Sequence, residues 1–286
     1  MNKISLYGGF GFIGGEFARQ YPEETIQIKR DEFAPQSDNI LYMISTVDNY
    51  NVLNNLHVDI DTNLTTLMKV LDICKQDPER YTFNFVSSWF VYGKNYEMPF
   101  REDHSVCNPT GFYSITKHCA EQLIVSFCET YKMKYRIFRL ANVLGVNDKK
   151  ISSKKNALQY LIKEIVNNRD ISLYYGGEVL RDYIAVEDVA YAMKECIDKA
   201  PTNSIINIGS GIPYKFLDII NMAIEYAKSS SKIIHIQPSS FHNVVQVRHS
   251  YLDISKVNSY ITTPLPKTDI SNIVKNLVDF YKKEIQ

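Results

Sequence analysis

Tyr113 and Lys117 stand four residues apart in YSITK, so a helix there carries a phenol and an ammonium on one face, one above the other. A phenol titrates at roughly 10, and bringing it to about 7 takes about 4 kcal/mol of differential stabilisation. An ammonium beside it in a partly dry cleft supplies much of that. The pair is therefore suited to passing a proton near neutral pH. A third polar group comes earlier, in FVSSWFVYGK, where a strand ends in two hydroxyls, Ser87 and Ser88, followed by two aromatic residues, Trp89 and Phe90. Ligands of doubly wound sheets collect at such strand ends. Away from that setting, the same residues read equally well as a surface tyrosine, a solvated lysine and a capping serine.

A second constellation opens the chain. Gly8, Gly11 and Gly14 in YGGFGFIGG follow a predicted strand, Lys3 to Tyr7, and lead into a predicted helix, Gly14 to Gln20. Glycine permits the tight turn and lets the backbone approach a pyrophosphate, while the helix N-terminus offers unpaired N–H groups to the anion. The turn formed by Gly8, Gly11, Phe12, Ile13 and Gly14 reads as a dinucleotide site. The next strand ends in Lys29, Arg30 and Asp31. Two cations there suit the 2'-phosphate of NADP, whereas Asp31 as a ribose ligand would suit NAD.

These groups need a scaffold, and the pattern predicts one. Strands are expected at Ile26 to Lys29, Asn39 to Ser45, Tyr81 to Ser87 and Tyr135 to Ala141, with helices at Thr62 to Cys74 and Tyr113 to Tyr131. This alternation predicts a Rossmann-like α/β fold, a doubly wound parallel sheet with helices on both faces. After Gly145 the character changes: a basic loop, Lys149 to Lys155, precedes a helix at Ala157 to Val166, a strand in ISLYY and a turn at Gly176 and Gly177. A helix at Glu187 to Lys199 and a strand at Ser204 to Ile208 would rejoin the main sheet. The expected division is a dinucleotide-binding domain of residues 1–146 and 183–209, interleaved with a smaller substrate-binding domain of residues 147–182 and 210–286. A short linker is expected at Ser229 to Lys232.

Composition narrows the function further. The 286 residues are 45% hydrophobic, and 32 basic residues balance 32 acidic ones, so no net field draws the chain to nucleic acid or an anionic membrane. Five scattered cysteines, with no metal-ligand spacing, read as reduced thiols and predict no metal site. With no leader-like start and no long apolar run, a cytoplasmic location is the expectation.

The order of YGGFGFIGG, the Asn63 region DTNLTTLMKVLD, SSWFVYG, FYSITKHCAEQ, RLANVLG, VLRDYIAVEDVA, NIGSG and LDISK resembles the extended short-chain dehydrogenase/reductases, in particular the sugar-nucleotide epimerase, dehydratase and ketoreductase group. The resemblance implies that Tyr113 is the general acid or base toward a sugar oxygen and that Lys117 binds the nicotinamide ribose and depresses the phenol pKa. It implies that Ser88 hydrogen-bonds the same sugar oxygen, and that Asn142, Arg181 and Arg248 contact a sugar-nucleotide diphosphate, with Asp182 and Asp188 bracing the fold. It also implies a homodimer built on the helices of Thr62 to Cys74 and Tyr113 to Tyr131.

Departures from the group sharpen the reaction. Similar 4,6-dehydratases carry an Asp-Glu pair after the hydroxyl residue, and members resembling GDP-fucose synthase carry a cysteine where Phe90 stands. Trp89 and Phe90 move no protons; they are expected either to wall the sugar pocket or to serve as core aromatics. The expected activity is NADP-dependent reduction of a nucleotide-linked 4-keto sugar. The alternatives are a 4-epimerase retaining NAD and, more distantly, a cofactor-sensing protein without catalysis. Between the second strand and ILYMIS only a short polar segment remains where relatives have further elements, so the adenine side of the site is expected to be abbreviated.

Overall fold

The computed structural model describes residues 3–47, 49–95, 97–148 and 151–285. Lys149 and Lys150 of the expected basic loop lie outside the described residues. The first half of the chain runs β1 (Ile4–Tyr7), α1 (Phe12–Gln20), β2 (Thr25–Ile28), β3 (Asn39–Tyr42), α2 (Val58–Ile60), α3 (Thr66–Cys74), β4 (Thr82–Ser88), α4 (Phe112–Tyr131) and β5 (Lys134–Leu140). The second half runs β6 (Asn142–Leu144), α5 (Ala157–Val166), β7 (Ile171–Tyr174), β8 (Leu180–Arg181), β9 (Tyr183–Ala185), α6 (Val186–Lys199), β10 (Ser204–Ile208), β11 (Tyr214–Lys215), α7 (Phe216–Ala227), β12 (Ile233–Ile236), α8 (Ser240–Val245), α9 (Ser255–Asn258) and α10 (Ile270–Ile285).

All four residues of β1 are buried, as are the last six of β4, which is how strands read when helices cover both faces. Six strands form one parallel sheet in the order β10-β5-β4-β3-β1-β2. As expected, β10 rejoins it, pairing Ser204–Ile208 with β5. On one face, Phe17 of α1 and Val189, Ala190, Met193 and Ile197 of α6 join one apolar core. On the other, Leu67, Val70 and Leu71 of α3 and Ile124 and Cys128 of α4 fill a second. A third core joins α5, α7 and α10 through Ile162, Ile165, Ile220, Val274 and Leu277.

The sheet order reverses between β1 and β3, so the connections leaving their carboxyl ends run to opposite faces and a crevice opens above them. Residues 29–38 carry the chain from β2 straight to β3, leaving β2 as the sheet edge. This short return is pinned by the Tyr7 hydroxyl donating to the Phe33 carbonyl at 2.7 Å, by the Gln36 N–H donating to Ser5 Oγ, and by contact between the Ser5 and Ser37 hydroxyls.

Two local expectations change. The helix expected from Thr62 begins at Val58 and passes through a π turn, Asp61–Thr65, before α3. Asn63 in that turn is tied on all sides: its amide donates to Thr46 Oγ1 and Thr116 Oγ1, both at 2.9 Å, while its Oδ1 accepts from the Thr46 N–H and Ser45 Oγ. The expected linker at Ser229 to Lys232 is instead a fastened turn. Ser229 Oγ donates to the Ile165 carbonyl at 2.6 Å, and the Ser230 N–H donates to Asn168 Oδ1 at 3.0 Å.

Candidate active site

The glycine turn closes on itself at the crevice. Gly8 has a φ of +82°, the left-handed region that glycine enters without strain. A Cβ on Gly14 would sit 2.3 Å from the Gly8 carbonyl oxygen, so only glycine lets the helix start this close to the strand. Gly11 is the N-cap of α1 and brings no side-chain cap, so the first-turn N–H groups remain available to an anion. The residues present would fit the pyrophosphate of a dinucleotide. Lys29 and Arg30 lie exposed at the same cleft, with Lys29 3.8 Å from Glu32 in a surface ion pair.

The cleft occupies about 1910 Å³. The turn residues Gly8, Gly11, Phe12, Ile13 and Gly14 line it, as do Ser88, Tyr113 and Lys117 from β4 and α4. Trp89, Phe90, Asn142, Arg181 and Arg248 line it as well, whereas Asp31, the alternative ribose ligand, is not among the residues that line it. Asp182 and Asp188 brace the fold as expected. Asp182 accepts from Ser210 N and Oγ, Gly211 N and Leu252 N, and Asp188 accepts from Lys267 N and Thr268 N.

Tyr113, 9% exposed, presents its ring to Phe90 edge-on, with centroids 6.1 Å apart and planes at 83°. One helical turn on, Lys117 is buried and donates to the Val86 carbonyl of β4 at 2.6 Å, its ammonium 4.0 Å from the centre of the Phe85 ring. Burial pulls the Lys117 pKa down to about 7, with nearby Glu121 acting in the opposite direction. Ser88 Oγ accepts from the Phe90 N–H at 3.3 Å, which leaves the hydroxyl proton to donate into the cleft.

Trp89 and Phe90 form a wall. Their rings stack at 4.0 Å and 24°, the Trp89 indole N–H donates to Asn142 Oδ1 at 3.3 Å, and the Arg181 guanidinium lies 5.5 Å over the indole. Arg181 itself is committed to backbone: Nη1 donates to the Leu180 and Arg248 carbonyls at 2.9 and 2.6 Å, and Nη2 donates to the Val247 carbonyl. Arg248 is exposed, its guanidinium 5.4 Å from the Tyr175 ring centre. Of the two arginines, Arg248 therefore has its charge facing solvent, and Arg181 fastens a strand to the passing chain.

Sequence reasoning missed a group on the far side of the cleft. The Tyr50 hydroxyl meets His242 Nδ1 at 2.6 Å, His242 packs 4.4 Å from the Tyr174 ring, and Thr110 Oγ1 donates to the Val244 carbonyl at 2.8 Å. Residues 239–249 thus strap the two sides together. Their signal in the sequence was only that FHNVVQVRHS departs from the pattern of similar chains, and a departure names no contact.

A glycine turn at the crevice and a serine, tyrosine and lysine at a neighbouring strand end thus share one cleft of a Rossmann-like α/β fold. The chain belongs to the NAD dependent epimerase/dehydratase family, whose model matches residues 30–209. Protein CapI of Staphylococcus aureus is 23% identical over 340 residues, covering 98% of each chain. Two solved structures share the fold. The UDP-glucose 4-epimerase of Thermotoga maritima with UDP-glucose has a TM-score of 0.86 at 19% identity, covering 99% of this chain and 100% of its own. RMD of Pseudomonas aeruginosa complexed with NADPH also has a TM-score of 0.86, at 16% identity and the same coverage. Among the described residues no helix is long and apolar enough to cross a membrane, and no group of side chains is arranged to hold a metal ion.

Proposed function

We propose that the protein is an NAD(P)-dependent oxidoreductase acting on a nucleotide-linked sugar. The observation that carries this reading is the arrival of Ser88, Tyr113 and Lys117 at one cleft with the Gly8 to Gly14 turn. NAD(P) bound along that turn supplies or accepts the hydride. Tyr113 gives a proton to the sugar oxygen, or takes one from it, as the carbon changes oxidation state. Ser88 donates a hydrogen bond to the same oxygen and fixes its distance from the phenol. The Lys117 ammonium favours the phenolate and holds the nicotinamide ribose. Residues 1–146 and 183–209 serve the dinucleotide, and residues 147–182 and 210–286 serve the nucleotide sugar, with Asn142 and Arg248 at its phosphates, Arg181 fastening the chain that carries Arg248, and Trp89 and Phe90 against the pyranose.

Trp89 and Phe90 offer no acid or base for eliminating water or for epimerising a neighbouring carbon, so the chemistry stays at one carbon. Reduction of a 4-keto sugar by NADPH is favoured by the exposed Lys29 and Arg30 at the end of β2. Epimerisation at the same carbon with retained NAD is favoured at least as strongly by similarity to the UDP-glucose 4-epimerase. Incubating the protein with 4-keto and 4-hydroxy nucleotide sugars while following NADPH absorbance tests both. One NADPH consumed per sugar marks the reductase; interconversion of two sugars without external cofactor marks the epimerase. No turnover of either substrate class refutes the assignment.

The reading includes a cytoplasmic homodimer. Ile60, Leu64 and Met68 form one apolar stripe, and Ile115, Cys119 and Leu123 another, on the outer helices, with Ile60, Met68, Ile115 and Leu123 exposed. Light scattering of an Ile115→Lys variant checks it, a shift from dimer to monomer being the expected result.

A further inference from the structure

Beneath the cleft lies a charge cluster that the proposed reaction does not use. Glu121 is one helical turn beyond Lys117 on α4 and has 0% of its surface exposed. Arg139 of β5, 3% exposed, grips it with both arms of its guanidinium, Nε donating to Oε1 at 3.1 Å and Nη2 to Oε2 at 2.7 Å. His118 Nδ1 stands 3.5 Å from Oε2. Arg139 in turn lies 4.7 Å over the Tyr92 ring, with the Cys107 thiol among its neighbours, and Tyr92 donates to Asn207 Oδ1 at 2.7 Å. One helical turn back along α4, the Lys117 ammonium donates to the Val86 carbonyl and lies over the Phe85 ring of β4.

A salt bridge buried this completely costs desolvation on both partners, and an apolar pair of the same volume is often no less stable. A tether between α4 and β5 does not need charge. What charge supplies is a field, and Lys117, one helical turn away on the same helix, lies within its reach. The geometry points to Glu121 as a positioning residue for proton transfer. Its carboxylate opposes the burial that strips the Lys117 ammonium of its proton, and His118 and Arg139 keep that carboxylate ionised and aimed. Lys117 and Arg139 are the cations of this set and Glu121 is its buried anion, so removing Glu121 alone leaves two cations facing each other. This inference rests on the proposed role of Lys117 in turnover, but the titration of Lys117 tests it independently of that role.

The experiment is an NMR pH titration of isotope-labelled lysine in the cofactor-free protein, with the Lys117 signal assigned from Lys117→Arg. Glu121→Gln, which keeps shape and loses charge, is expected to lower the Lys117 midpoint by about one pH unit. Glu121→Gln combined with Arg139→Met removes both charges and leaves the site apolar, so the expected drop is smaller, and this variant carries the test if the single one does not fold. A Lys117 midpoint unchanged from wild type in either folded variant overturns the inference. Turnover gives the second readout: the alkaline limb of kcat should move down with the Lys117 midpoint while KM for the sugar holds. A uniform fall in kcat at every pH would make Glu121 a structural tether only. Were Lys117→Met to retain full turnover, the functional reading of Lys117 would fail while the titration result stood.

Discussion

Phe90 meets Tyr113 edge-on at 6.1 Å, and its other side stacks on Trp89 at 4.0 Å, which in turn lies under the Arg181 guanidinium. The Tyr113 phenol therefore terminates a row of three aromatic rings and one cation. A wall of this kind excludes water from the phenol's flank and offers a flat apolar surface to one face of a sugar ring.

Against that wall, Tyr113→Phe removes one oxygen atom and preserves the ring packing with Phe90. Turnover of the nucleotide sugar is expected to fall by about 10² to 10⁴, the usual worth of a positioned acid or base, while NADPH affinity by calorimetry stays unchanged. Turnover equal to wild type would remove Tyr113 from the mechanism.

Lys117 links pH to stability. Its pKa in the fold is about 7 against an ordinary 10.5, so between those values the unfolded chain holds a proton that the folded chain has released. The Lys117 contribution to stability therefore rises with pH across that window and is least favourable below it. Lys117→Met removes the buried charge and is expected to raise Tm most near pH 6, the gain fading toward pH 10. Thermal melts across that range check the trend, and a gain that grew with pH would contradict it.

At the turn, Gly14→Ala places a methyl 2.3 Å from the Gly8 carbonyl, closer than any real contact allows. The helix must move away from the strand and open the phosphate cradle. Dinucleotide affinity measured by calorimetry is expected to fall at least about tenfold, with the Lys117 titration unaffected, because α4 is a separate element.

The proposed site puts Lys29 and Arg30, at the end of β2, where the 2'-phosphate of NADP would lie. Replacing Lys29 and Arg30 together by alanine is expected to raise KM for NADPH about tenfold and to leave KM for NADH nearly unchanged, since only NADPH carries the extra phosphate. Equal losses for both would place the two cations outside the cofactor site.

The sheet and the three central side chains were legible in the sequence because each has a local signature. Glycines at three-residue spacing, a hydroxyl at a strand end and a tyrosine–lysine pair at helical spacing are all readable within a few residues. Trp89 and Phe90 were legible as residues unable to move protons, but the indole bond to Asn142 depends on a partner 53 residues away. The commitment of Arg181 to the carbonyls of Val247 and Arg248 was out of reach for the same reason, because backbone acceptors look alike in every sequence. Glu121 sat in plain view within FYSITKHCAEQ, yet only the fold brings Arg139 across from β5 to reveal it as buried charge.

The direct return from β2 to β3 through residues 29–38 leaves the rim of the sheet without the extra layer that would lie beside a bound adenosine. A guest held there would be gripped at its phosphate waist and only loosely at its purine end. In the proposed site a dinucleotide would therefore be held more by its phosphates than by its purine, and would exchange the more readily with the surrounding solution.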